Sequence, residues 1–225
     1  MQREQSPVRR GRAKREPLSR DRIVAAAIAL ADEKGEAGVT MRATAGRLGV
    51  EAMSLYNHVA DRAGLLDGMV DAVFAEVELP TTATDWKQAM RDRALSSRSV
   101  LRRHPWAVSL MDSRSQPGPA ILRHHDAVLG ALRAGGFSVV MAAHAFSVID
   151  SYLYGFVLQE SAMPFSGPEE LGKIATGILR DGPGEEFPHL TELITEHALR
   201  PGYDYAAEFD YGLDLILDAL RPDEL

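Results

Sequence analysis

The chain has no cysteine. That excludes disulfide staples and thiolate metal sites and fits a reducing compartment. No apolar run reaches the ~18 residues that a membrane span needs, so no segment is expected to span a membrane. The first residues are charged and carry no apolar signal core, which predicts a chain that stays in the cytoplasm. Strand-like alternation never lasts beyond a few residues, and no period repeats. Gly-x-Ser-x-Gly, a phosphate loop and His-Glu-x-x-His are all missing, so the sequence offers no recognisable enzyme chemistry.

What is present is an ordinary globular composition, 45% hydrophobic and 25% charged over 225 residues, enough for one large or two small domains. The net charge of −7 is unevenly spread. Residues 1–62 hold 12 Lys/Arg against 8 Asp/Glu, and residues 63–225 hold 13 against 24. An acidic body with a basic end is repelled by DNA everywhere except at that end.

Helical periodicity and capping residues divide the chain. Residues 1–17 read as a basic disordered arm. Ser19 caps a first helix that Gly35 stops. Thr40 caps a second, ending at Leu48 with Gly49 left-handed; residues 51–58 form a third. A fourth is marked from Leu65 and runs out near Pro80. Longer helices follow over 85–103, a short one after Pro105, then 117–134, 138–160, 167–184, 187–200 and 205–220. The fold class is all-α, with a helix-turn-helix unit at 18–66 and a larger helical part at 67–225.

Residues 39–66 carry the spacing of a helix-turn-helix. Ala45 allows a close crossing, Gly49 makes the turn, and Leu48, Val50 and Leu55 anchor both helices. An ordinary helical hairpin satisfies the same spacing. Thr40-Met41-Arg42, Leu48-Gly49-Val50, Leu55-Tyr56-Asn57-His58-Val59, Arg62 and Leu65-Leu66 together narrow the choice. On these residues the segment resembles the DNA-binding domain of the TetR family of bacterial repressors.

The resemblance implies roles by position. Thr40, Tyr56 and His58 match phosphate-holding positions, and Arg62 stands where the family has a lysine that meets phosphate. Arg42 matches a position that reaches bases. Ala52, Met53, Ser54 and Tyr56 lie on the recognition helix that faces base edges, with Glu51 at its start. Thr44 departs from the family's larger aliphatic residue, which predicts looser packing. In the arm, Arg10 and Arg12 flank Gly11 and suit a narrow minor groove; a solvated tail is the plain alternative.

In the larger part, residues 139–160 and 205–220 match the family's dimerisation helices. Ile149, Tyr152 and Phe156 from one, and Phe209, Leu213, Ile216 and Leu220 from the other, are the expected partner face; packing within the chain is the alternative. The polar stripe His144, Ser147, Ser151 and Tyr154 must meet water, a partner helix or a ligand. The family's small-molecule binding assigns it to an effector pocket, with Trp106, Leu110 and Met111 as apolar walls. Arg103-His104-Pro105-Trp106-Ala107 and residues 155–160 further resemble the tetracycline-repressor-like subgroup. His104, His124, His125, Asp126 and His144 invite a metal reading, but adjacent histidines diverge on a helix, so no metal and no cofactor are expected.

The expected function is a homodimeric, sequence-specific regulator, a repressor released from double-stranded operator DNA by an effector. A constitutive DNA-binding protein without effector response, or a helical interaction module, remain as alternatives.

Overall fold

The computed structural model describes residues 17–82, 85–111, 117–165, 167–181 and 186–223. Arg10 and Arg12 lie outside these residues. Among the described residues the regular elements are all helical.

The first unit is set by its caps. Helix α1 (Arg20–Lys34) starts where Ser19 Oγ accepts from the Arg22 N–H at 3.3 Å and stops at Gly35, φ 72°. A short 3₁₀ turn (Glu36–Gly38) leads to α2 (Met41–Leu48), whose first turn is held by Thr40 Oγ1 accepting from Ala43 N at 3.0 Å. Gly49 then takes the left-handed conformation, φ 66°, which only glycine enters without strain. Helix α3 (Ala52–Leu55) is shorter than its sequence predicts. The Leu55 carbonyl accepts from both His58 N (2.9 Å) and Val59 N (3.0 Å), so the helix unwinds as Val59 turns into the core.

Helix α4 (Arg62–Phe74) begins three residues ahead of its apolar stripe because Asp61 caps it, Oδ1 accepting from Gly64 N at 2.8 Å. It ends earlier than expected. Beyond Phe74 the N–H groups of Glu76 and Val77 turn to carbonyls three residues back, and Val77 is buried as the chain leaves. α4 packs on α1 on one side and, on the other, against α5 (Trp86–Arg103), α6 (Trp106–Met111) and α7 (Pro119–Ala134).

Helix α8 (Val139–Ala162) is the spine of the larger part and packs against α5, α7 and α11 (Ala206–Ala219). At 24 residues and mean hydropathy 1.2 it is long and apolar enough to cross a membrane, which the run-based reading of the sequence overlooked. Its neighbours explain it instead. Asp150 on α8 pairs with the wholly buried Arg93 of α5, and Glu160 pairs with Arg98 at 2.6 Å. The α8–α11 seam is close enough that a Cβ on Gly212 would lie 2.2 Å from the Tyr152 hydroxyl. Between them, α9 (Pro168–Asp181) and α10 (Pro188–Leu193) lead into a π-helical turn, Ile194–Ala198.

Candidate functional site

The first unit presents one exposed face. Leu55 and Val59 are buried and anchor α3, whereas Met53 and Tyr56 stand out at 75% and 46% exposure. Thr40, Arg42, Glu51 and His58 are exposed around them, and Ala52 and Ser54 are half-buried. A methionine three-quarters exposed beside an exposed tyrosine, on a four-residue helix pinned from behind, has the shape of a reading head. Thr40 holds its α2 cap while staying exposed, so its outer side remains open to a phosphate.

Arg62 is placed differently from the sequence expectation. Its Nε donates to the Val39 carbonyl at 2.8 Å, and Nη2 reaches the Glu36 carbonyl at 3.2 Å and the Glu36 carboxylate. The guanidinium braces the α1–α2 connection onto the start of α4 because three acceptors surround it there. Thr44 is fully buried, and its hydroxyl has no hydrogen-bond partner.

Inside the larger part lies a cavity of about 340 Å³. Asp67, Val70 and Phe74 of α4 form one wall; Met111, Pro117, Ile121 and His125 form the next; Phe146, Asp150 and Tyr154 of α8 close it. Behind it, Arg93 Nε donates to His124 Nε2 at 3.1 Å, Arg93 Nη1 pairs with Asp150, and the Tyr154 hydroxyl donates to Asp150 Oδ2 at 3.2 Å. Burial, with Arg93 beside it, pushes His124 down to about 3, so it is neutral and its Nε2 accepts. Burial, then the Asp150 charge, pushes the Tyr154 phenol up, so it keeps its proton. Burial also lowers His125. The cavity therefore offers three aromatic rings (Phe74, Phe146 and Tyr154), a neutral imidazole, and the Asp150 carboxylate balanced from behind by a guanidinium. A second cavity, about 450 Å³, lies around Arg102, Glu160, Phe165 and Tyr205, away from α4.

Of the residues expected at a pocket, Met111 and Tyr154 line this cavity and the rest do not. His144, Ser147 and Ser151 are exposed on the outer side of α8. Trp106 and Leu110 are buried elsewhere: Trp106 Nε1 donates to Asp32 Oδ1 of α1 at 2.7 Å. The expected partner face is likewise turned inward. Ile149, Phe156, Phe209 and Leu213 are buried, and Tyr152 stacks on Phe209 with ring centres 5.5 Å apart. Ile216 and Leu220 are half-buried against the same core. The side of α8 that carries Ile149 and Phe156 packs within the chain, and of the expected polar stripe Tyr154 alone turns to the cavity. Asp150 points inward because Arg93 awaits it, and that fixes the helix phase. The face left outside carries Val140, Val148 and Leu158 at 64%, 46% and 46% exposure, beside Tyr211 and Leu215 of α11 at 66% and 55%.

Comparison with known proteins follows the same outline. The family profile described as "Tetracyclin repressor-like, C-terminal domain" matches residues 79–222. An HTH-type transcriptional regulator of Saccharopolyspora erythraea is 38% identical over 145 residues, 64% of this chain and 61% of that relative. The HTH-type transcriptional repressor DrrR1 of Streptomyces coeruleorubidus is 31% identical over 95% of this chain and 81% of its own. Among solved structures, the Streptomyces coelicolor TetR family protein ActR in complex with actinorhodin superposes with a TM-score of 0.76 at 28% identity, covering 91% of this chain and 95% of that one.

Proposed function

The chain belongs to the TetR family of transcriptional regulators, and from that premise we propose that it is a non-enzymatic, cytoplasmic repressor released from its operator by a polycyclic aromatic effector bound in the 340 Å³ cavity. The observation that carries this reading is the position of α4. Its first residue, Arg62, braces the DNA-reading unit, and further along the same helix Asp67, Val70 and Phe74 wall the cavity. A ligand that wedges α4 outward turns the reading head with it. Release then follows from tighter effector binding to the displaced conformation.

Residues 18–66 act as the reading unit, and α4 onward as the effector and dimer unit. Thr40, Tyr56 and His58 meet phosphates, Arg42 reads a base edge, and Met53 supplies apolar contact to a thymine methyl. The exposed face of α8 and α11, not the buried one, pairs two protomers: it is apolar, and Ser147, Ser151 and Gly155 let a partner helix approach closely.

Actinorhodin and minocycline, bound by relatives of known structure, are the first ligands to use. The test is fluorescence anisotropy of an operator duplex selected by the wild-type protein. The expected result is release by one of these ligands from the wild type and no release from Ile121→Trp, whose indole fills the cavity. Release that survives this substitution, or no release by either ligand, contradicts the reading.

A further inference from the structure

A second connection joins the two parts of the molecule, independent of α4. Asp32, near the end of α1, turns one carboxylate oxygen to the junction between α5 and α6. That oxygen accepts from Trp106 Nε1 at 2.7 Å and meets His104 Nδ1 at 2.8 Å. His104 Nε2 faces Glu76 at 3.5 Å, and Arg103 holds the other Glu76 oxygen at 2.6 Å. Both rings are nearly sealed, His104 at 8% and Trp106 at 6% exposure. Hydrogen bonds to a carboxylate are roughly twice as strong as neutral ones, and a buried indole N–H deprived of its acceptor is costly. Asp32 itself keeps 31% of its side chain exposed, so the seal lies on the side of the two rings, and the contact is directional.

Its placement gives it a consequence. α1 packs on α2, which in turn carries α3, and Met111 at the far end of α6 lines the cavity. The packing of α1 on α4 holds the reading unit along one line of contact. Asp32 supplies a second point of attachment.

We infer that Asp32 is a positioning residue: by holding Trp106 and His104 it fixes the angle of each reading head, and so the half-site spacing that the dimer accepts. This rests on the proposal that two protomers read two half-sites. A single reading head needs no such angle to bind one half-site. Two heads on one duplex do, because both must fit at once.

The experiment measures the affinity of the full-length chain for duplexes carrying two half-sites at the preferred spacing, at that spacing plus or minus one base pair, and for a single half-site. Asp32→Ala and Trp106→Phe remove the contact, the second while keeping an aromatic ring in place. Both are expected to bind the preferred spacing about tenfold more weakly, as a tenfold smaller competent population dictates. Both are also expected to lose most of the wild-type penalty for the altered spacings and to keep the single half-site affinity. Asp32→Asn retains an accepting oxygen and restores the wild-type spacing profile. If Asp32→Ala and Trp106→Phe keep the sharp wild-type spacing preference, or lose single half-site binding in the same proportion, the positioning role is wrong while the DNA reading stands. Failure of the wild-type chain to bind any duplex sinks both.

Discussion

Asp71 on α4 accepts two backbone N–H bonds from the first turn of α7, from Ala120 at 2.8 Å and Ile121 at 3.1 Å. A carboxylate from one helix thereby caps another, and both helices wall the cavity. A Cβ on Gly118 would lie 2.3 Å from that carboxylate, so the approach depends on glycine there. Asp71→Ala is expected to cost about 1 kcal/mol of stability, the typical value of an N-cap. Gly118→Ala should destabilise through the same contact. Urea unfolding of the two variants checks this; midpoints equal to wild type contradict it.

The buried Thr44 hydroxyl has no partner. Removing it while keeping the branched shape should therefore help. Thr44→Val is expected to stabilise by about 1 kcal/mol, the cost of an unsatisfied buried hydroxyl. Thermal melts of the two proteins decide it, and a lower melting temperature for the variant contradicts it.

His124 makes stability depend on pH. Its folded-state value, about 3, lies below the ordinary 6.5 of an unfolded chain. Between these values the unfolded chain binds the proton first. Stability is thus complete above the ordinary histidine range and falls as pH drops through it, by up to about 1.4 kcal/mol per pH unit. His124→Gln can still accept from Arg93 Nε but does not titrate. Unfolding at pH 7 and pH 5 should show a smaller loss in the variant; equal losses contradict the assignment.

Much of this was legible in the sequence. Ser19, Thr40 and Ser138 all cap the helices they precede, because capping is chemistry within three residues. The segment around Met53 and Tyr56 was legible through helix-turn-helix spacing and the resemblance of Leu55-Tyr56-Asn57-His58-Val59 to a family motif; the structure adds its exposure, and its contact with DNA is our proposal. The phase of α8 was not. That helix is apolar nearly all round, and its inward face is chosen by Arg93, 57 residues away in sequence. The Asp32 contact spans 72 and 74 residues, and nothing local announces it. The bracing role of Arg62 was not legible either, because its acceptors on Val39 and Glu36 lie 23 and 26 residues away.

The outward face of α8 and α11 yields a prediction about assembly. Val148 and Leu215 are exposed, and Val148→Glu and Leu215→Arg each place a charge on the proposed partner face. Each is expected to give a monomer in sedimentation experiments and to weaken binding to a two-half-site operator ~100-fold, because linked binding is lost. A dimer that persists in both variants contradicts the assignment of this face.

At the reading head, Tyr56→Phe should weaken all duplexes alike, whereas Arg42→Ala should relax preference at one base position by about 1–3 kcal/mol. Competition binding against single-base operator variants separates the two outcomes. A uniform loss from Arg42→Ala moves that residue to the phosphates.

The central claim is that the exposed residues around Met53 and Tyr56 dock into duplex DNA in two symmetric copies. Footprinting of the full-length protein on DNA flanking its own gene tests this most directly. The account predicts two protected half-sites related by a two-fold axis and separated by about one helical turn, roughly 34 Å, or a multiple of it, with protection lost in a Met53→Glu, Tyr56→Ala double variant. Protection that persists in that variant, or none in the wild type at moderate salt, would contradict it.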